Sequence, residues 1–158
     1  MPYPEIEQDS LYRQVVQNTV NELEIIREAI SNSVDAGATE FTIELVLNGA
    51  EYDLTMIDNG HGIIMENIGG DDERNGFKAL WGMGKSIKQG GAIGEKGLGS
   101  KTFFRAERVE ISSVYNGIHY HSWMANAMNA LENGNMPQYY PDDLQSDQNT
   151  TGIDQGTK

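Results

Sequence analysis

Three side chains near the end of an apolar helical pattern carry the first chemical signal in this chain. Within Arg27 to Thr39, REAISNSVDAGAT, the residues Glu28, Asn32 and Asp35 stand at i, i+4 and i+7. That spacing puts two carboxylates and an amide on one helix face. Their surroundings are apolar, where an unpaired carboxylate is costly, so a polar partner is expected there, and a hydrated metal bound to phosphate fits. A second stretch, Asp58 to Ile63 (DNGHGI), sets a carboxylate at a strand end before two glycines. Asp58 serves there either as a cap or loop brace, or as a hydrogen-bond acceptor inside a pocket. Gly60 and Gly62 let backbone approach a ligand closely, which favours the pocket. A third stretch, Ile93 to Thr102 (IGEKGLGSKT), leads into a short helical run from Thr102 to Ala106. Amides at a glycine turn opening a helix bind anions, so this is a phosphate cradle in form.

Two familiar phosphate loops fail on spacing. Gly84-Lys85-Ser86 has the right ending for a P-loop, but the required first glycine falls on Ala79. Gly94 and Gly99 have the right separation, but Ser100 stands where lysine belongs and Lys101 comes one residue late. A dinucleotide fingerprint fails for want of a preceding strand and a matching glycine pattern. Charge adds a separate hint. Eight of the eleven basic residues lie between Arg74 and Arg108, against Glu95 and Glu107 alone, on a chain of net charge -13. A glycine-rich positive island on an acidic chain suits a small anion; a solvated helix face is the plainer reading.

Positioning these groups falls to the elements between them. Leu11, Val15, Val16, Val20, Leu23, Ile26, Ile30 and Val34 recur at helical spacing, which predicts one long amphipathic helix from about Asp9 to Ala36, ended by Gly37. Thr39 to Leu47 alternates, Asn48-Gly49 signals a hairpin turn, and the return strand runs from Glu51 to Asp58. Phe41, Ile43, Leu45 and Leu47 share one face, and Tyr52, Leu54, Met56 and Asp58 share one that a helix must cover. From Met65 to Gly91 the chain is broken by glycines around a helix near Asn75 to Trp81, a mobile lid or an ordinary loop. A second hairpin turns at Asn116-Gly117 between Arg108–Tyr115 and Ile118–Met124. His119 and His121 share a strand face, yet without a third ligand nearby they read as surface or core histidines. From Asn126 onward the Asn, Gln, Asp and Gly content predicts mostly irregular structure.

Composition bounds the possibilities. At 158 residues the chain fits one domain with a real core. It has no cysteine, which excludes disulfides, thiol nucleophiles and cysteine-ligated metal, and suits a reducing compartment. No apolar run approaches the roughly 20 residues of a membrane span, and the start lacks a signal pattern. A cytoplasmic protein without membrane contact is expected. Its acidity argues against direct nucleic-acid binding.

Glu28, Asn32 and Asp35 on a helix, then DNGHGI at a strand end, then IGEKGLGSK at a helix start, in that order, resemble the GHKL ATPases: gyrase B, the ninety-kilodalton heat-shock chaperone, histidine kinases and MutL. REAISNSVDAGA looks like the family's N-box in its chaperone and MutL form, and DNGHGI like its adenine motif. AERVEISS looks like the chaperone's post-lid strand, and the terminal GTK like the start of the last core strand. The resemblance implies an α+β two-layer sandwich, a mixed and mostly antiparallel sheet covered on one face by helices. It also implies ATP and Mg2+ as ligands. Asn32 would coordinate the metal, Glu28 would orient and polarise the attacking water, and Asp58, with Gly60 and Gly62 beside it, would accept the adenine amino hydrogen. Gly94, Gly97 and Gly99, with Leu98, Ser100 and Thr102 of the same turn, would hold the phosphates. Thr157 would stand near the adenine, and Lys85, Lys88, Lys96 and Lys101 are phosphate-charge candidates. Asp35 reads as support. One ATP-binding domain over residues 1–158 is expected, the N-terminal part of a longer protein stopping at its last core strand. Hydrolysis, weak in isolation because the family recruits a cation from a following domain, would drive a lid or dimerisation change. Downstream domains and a nucleotide-dependent homodimer are the partners this implies. The alternatives are an ATP-sensing module without hydrolysis and a histidine-kinase catalytic domain, the latter disfavoured because no phosphoacceptor segment is present.

Overall fold

The apolar positions expected to form one helix from Asp9 to Ala36 form two, α1 (Gln8–Gln17) and α2 (Glu24–Asp35). Asn21 stands at the break. Asn21 accepts the Leu23 N–H on its side-chain oxygen at 3.0 Å and the Glu24 N–H on its carbonyl, giving the backbone a local alternative to helix. The computed structural model describes residues 7–18, 21, 23–68, 71–82, 99–141 and 152–158. Helix α2 ends as predicted at Gly37, with φ 71°, where Ala38 N–H bonds Ser33 C=O and Gly37 N–H bonds Val34 C=O. This double bond closes the helix with a left-handed residue that glycine adopts without steric cost.

The first hairpin, β1 (Phe41–Asn48) and β2 (Glu51–Asp58), pairs in the expected register with Phe41 opposite Asp58. A small hairpin that the glycine-broken pattern did not announce follows, β3 (Met65–Ile68) with β4 (Asp71–Asn75), and then the expected helix α3 (Gly76–Trp81). A 3₁₀ helix, Gly99–Arg105, takes the place of the run predicted from Thr102 to Ala106 and starts three residues earlier. The second hairpin, β5 (Arg108–Tyr115) and β6 (Ile118–Ala125), turns at Asn116 and Gly117 with φ 51° and 75°. Two left-handed residues match the twist of the flanking strands.

Mostly irregular structure was expected after Asn126, but α4 (Ala127–Glu132) and β7 (Tyr139–Pro141) form there, while β8 (Gly156–Thr157) falls on the terminal GTK, where the start of the last core strand was expected. The polar average hid an apolar face: Ala127 and Leu131, one turn apart, are buried, and left-handed Asn126 turns the chain from β6 into the helix.

The larger sheet has the order β1-β2-β8-β5-β6-β7, and every described pairing is antiparallel. Helices against an open sheet make the expected α+β two-layer architecture. Tyr12, Val16, Phe77, Trp81, Phe104, Ile111, Met124, Ala127 and Leu131 form the core, so it lies on the β5–β6 half. Tyr12 and Trp81 flank Phe104 with ring centroids 5.9 and 6.1 Å away. The β1–β2 half is covered only near Asp58. Leu45, Leu47 and Tyr52 are exposed, so no described helix covers the far end of the face expected to be buried. Among the described residues no helix is long and apolar enough to cross a membrane.

Candidate functional site

The two stretches marked by their polar side chains meet. Asn59 binds the start of β1 to the loop: its side-chain oxygen accepts the Thr39 and Glu40 N–H groups at 2.8 and 3.0 Å, and its amide donates to Thr39 Oγ1 at 3.0 Å. His61 N–H bonds the Ala36 carbonyl at the end of α2 at 3.0 Å. The loop is therefore fixed against the helix end through side-chain and backbone bonds. Gly60 fits because its Cα sits where a Cβ would come within 2.8 Å of both the Ala36 Cβ and carbonyl oxygen.

Asp58 is buried at this corner, 9% exposed, with both carboxylate oxygens engaged. Oδ1 accepts Gly60 N–H at 2.8 Å, and Oδ2 accepts Ser33 O–H at 3.1 Å. A carboxylate held by two neutral donors keeps lone pairs for a ligand's N–H. Thr157 stands opposite Asp58 in the sheet. Behind the loop, the fully buried Ser113 hydroxyl accepts Ile63 N–H at 2.7 Å and approaches Gly156 C=O and Thr157 Oγ1 at 3.2 and 3.3 Å. Gly62, with φ 79°, passes so close to the Val114 carbonyl that a Cβ would overlap it.

Glu28 and Asn32 face together as their spacing required. Asn32 Nδ2 donates to Glu28 Oε1 at 3.3 Å. The Gly99 Cα lies directly against this carboxylate, so any Cβ there would collide with both Glu28 oxygens. The third stretch thus reaches the first through its last glycine. Thr102 Oγ1 donates to the Gly99 carbonyl at 2.8 Å and braces the opening turn of the 3₁₀ helix. Ser100 Oγ donates to the Leu80 carbonyl at 2.8 Å. Lys101 is fully buried, its Nζ donating to Leu80 C=O and to Ser100 Oγ. Burial pushes its pKa down to about 8, against the opposing pull of the Glu28 charge. Lys85, Lys88, Gly94, Lys96, Gly97 and Leu98, with residues 69–70 and 83–91 of the stretch read as a lid, lie outside the described residues.

Sequence reasoning missed Ser33 and Ser113. Ser33 belongs to a row of small residues, Ala29, Ser33 and Ala36, one step around α2 from the Glu28–Asn32 face. Such a row lets another chain segment approach a helix closely, and it was a readable signal. Ser113 lies in β5 beside buried apolar positions, a hydroxyl whose partners only the fold supplies.

A metal held by protein side chains alone does not fit this donor set: among the described residues no group of three or more His, Cys, Asp or Glu gathers. A magnesium ion that keeps waters and phosphate oxygens does fit, because one neutral amide oxygen is then enough. Asn32, whose amide nitrogen donates to Glu28, stands beside that carboxylate as the amide in this donor set.

A helix-backed antiparallel sheet, a buried carboxylate at a strand end and a carboxylate–amide pair against a glycine turn together make the frame of one class of ATPase domain. The model for histidine kinase-, DNA gyrase B-, and HSP90-like ATPases matches residues 21–157, and the chain belongs to that family. It is also similar to the DNA mismatch repair protein MutL of Pelobacter propionicus, 28% identical over 99 residues. The match covers 55% of this chain and 16% of that MutL.

Proposed function

We propose that this chain is a single ATP-binding domain that takes Mg-ATP between α2, the Asp58 loop and the 3₁₀ helix, and hydrolyses it to ADP and phosphate. The observation that carries the reading is the buried Asp58 carboxylate, oriented by Ser33 and Gly60 and left able to accept. Adenine presents an amino donor to such a group, while guanine presents a carbonyl that it repels. Asn32 would hold the magnesium, which neutralises phosphate charge when bound. Glu28 would take a proton from the water that attacks the γ-phosphorus as the bond to ADP breaks. Gly99 and the backbone amides that open the 3₁₀ helix, those of Ser100 and Thr102 among them, would line the phosphates through their N–H groups, and Thr157 the adenine side.

Hydrolysis would drive a change in a larger, cytoplasmic assembly, with downstream domains and a nucleotide-dependent homodimer as partners. The likeness to a mismatch repair MutL supports this arrangement over a histidine-kinase one. Light scattering with a non-hydrolysable ATP analogue checks it: a mass that stays unchanged counts against the dimer.

Nucleotide titration and phosphate release together test the site. Asp58→Asn is expected to weaken ATP binding on the order of 100-fold, about 3 kcal/mol, by turning an acceptor into a donor. Glu28→Ala is expected to keep affinity within about threefold and to lower phosphate release on the order of 100-fold or more. Tight ATP binding by Asp58→Asn defeats the adenine assignment. Binding without Glu28-dependent release assigns the pocket to nucleotide sensing instead.

A further inference from the structure

Lys101 is the one described lysine with no exposed surface, and among the described residues no carboxylate accepts its hydrogen bonds. Its partners are neutral, the Leu80 carbonyl and the Ser100 hydroxyl, and Ser100 in turn donates to the same carbonyl. Ammonium, hydroxyl and carbonyl close a three-membered knot. The knot ties the last turn of α3 to the first turn of the 3₁₀ helix. That first turn also contains Gly99, whose Cα the Glu28 carboxylate rests against.

We propose that Lys101 is a positioning residue for Glu28: its buried ammonium clamps the 3₁₀ turn to Leu80 and so fixes the Gly99 surface on which the carboxylate is seated. This rests on the ATPase reading above, in which Glu28 handles the attacking water. Burying an ammonium among neutral acceptors is costly, and the downward displacement of its pKa to about 8 expresses that cost. The charge that opposes the displacement is that of Glu28, so cation and carboxylate also attract across the turn. Reaching a bound phosphate would require Lys101 to leave both acceptors. The clamp therefore departs from a direct phosphate contact in what it predicts: a defect in turnover rather than in affinity.

The test uses the full chain with Lys101→Met and Ser100→Ala, two routes to opening the same knot. Without nucleotide, NMR on labelled protein should show the Gly99 amide and Glu28 carboxyl-carbon resonances displaced in both variants. With Mg-ATP, kcat should fall on the order of 10- to 100-fold while the ATP Kd stays within about threefold. Unmoved Gly99 and Glu28 resonances in folded variants overturn the proposal. So does a Lys101→Met variant that loses about tenfold or more in ATP affinity while holding ADP as before, since that marks a γ-phosphate ligand. Should Lys101→Met fail to give a folded spectrum, Ser100→Ala, which removes no charge, decides by the same readouts. A wild-type chain that releases no phosphate defeats the ATPase reading, and the resonance arm still decides whether Lys101 seats Glu28.

Discussion

The two ends of the proposed nucleotide site are built from close approaches of opposite kinds. Around Asp58 the glycines press against backbone: Gly60 against the Ala36 carbonyl, Gly62 against the Val114 carbonyl, Gly156 against the Asp58 carbonyl. Around Glu28 the glycine presses against a side chain, Gly99 against the end of the Glu28 carboxylate. Backbone in a sheet or helix end cannot yield without breaking hydrogen bonds, whereas a glutamate can rotate. One end is therefore fixed and the other adjustable, which suits the roles proposed for them, a base reader at Asp58 and a water-handling carboxylate at Glu28. The polar partners follow the same division, since Asp58 is held by a hydroxyl and an amide while Glu28 is flanked by an amide and a buried cation.

Gly62→Ala strikes the fixed end and should have the largest effect. Its φ of 79° is unfavourable to any Cβ, and the added atom would overlap the Val114 carbonyl. Left-handed strain and overpacking together predict a loss of about 3 kcal/mol or more in urea unfolding. A loss below about 1 kcal/mol would show that the loop can move and would collapse the distinction between the ends.

Much of this division was readable beforehand, and the failures share a cause. The 3.6-residue period placed Glu28 and Asn32 together, the two Asn-Gly turns placed both hairpins, and the DNGHGI stretch placed a carboxylate at a strand end. These signals are local. The division of the first helix was hidden because apolar spacing continues through Asn18 and Asn21 while the backbone does not. Helix α4 was hidden because an Asn-rich average masks Ala127 and Leu131. Ser33, Ser113 and the inward direction of Lys101 depend on segments 21 to 50 residues away, and on which side of a 3₁₀ turn meets α3, and a charge count carries neither.

At the adjustable end, Lys101 gives a pH signature about as large as the Gly62 effect. Its pKa is about 8 in the folded chain against 10.5 for an unperturbed lysine side chain, so between those values the unfolded chain binds more protons. Stability contributed by this residue therefore rises with pH across that window and is flat below it. The gain of wild type over Lys101→Met should approach about 3 kcal/mol by the top of the window, read from urea midpoints at pH 7 to 10. A difference that stays level or shrinks as pH rises would mean that the ammonium is solvated.

Gly99→Ala comes next and sharpens the contrast with Gly62→Ala. The three atoms nearest the new methyl group all belong to the Glu28 carboxylate, the movable end of a side chain, so the fold should lose no more than about 1 kcal/mol while the carboxylate swings aside. Phosphate release should fall on the order of 10-fold or more, about 1.4 kcal/mol of barrier. Unfolding as severe as that of Gly62→Ala would place a rigid wall where an adjustable contact is argued.

Ser33→Ala is the smallest change and tests the reader from within. The Ser33 hydroxyl carries one proton and has two acceptors in reach, the Ala29 carbonyl at 2.9 Å and Asp58 Oδ2 at 3.1 Å. A carboxylate is the stronger acceptor, so the proton belongs on Asp58 rather than in the helical back-bond. Alanine keeps the small-residue row intact and removes only that donor. Gly60 N–H still holds Oδ1, so Asp58 should lose orientation rather than position. ATP affinity is then expected to fall about fivefold, roughly 1 kcal/mol, and the preference for ATP over GTP to narrow by a similar factor. Turnover at saturating ATP should stay within about twofold, because Glu28 belongs to the other end. If affinity and base preference are both unchanged, the Gly60 amide alone orients the carboxylate, and the fixed end is fixed by its backbone only.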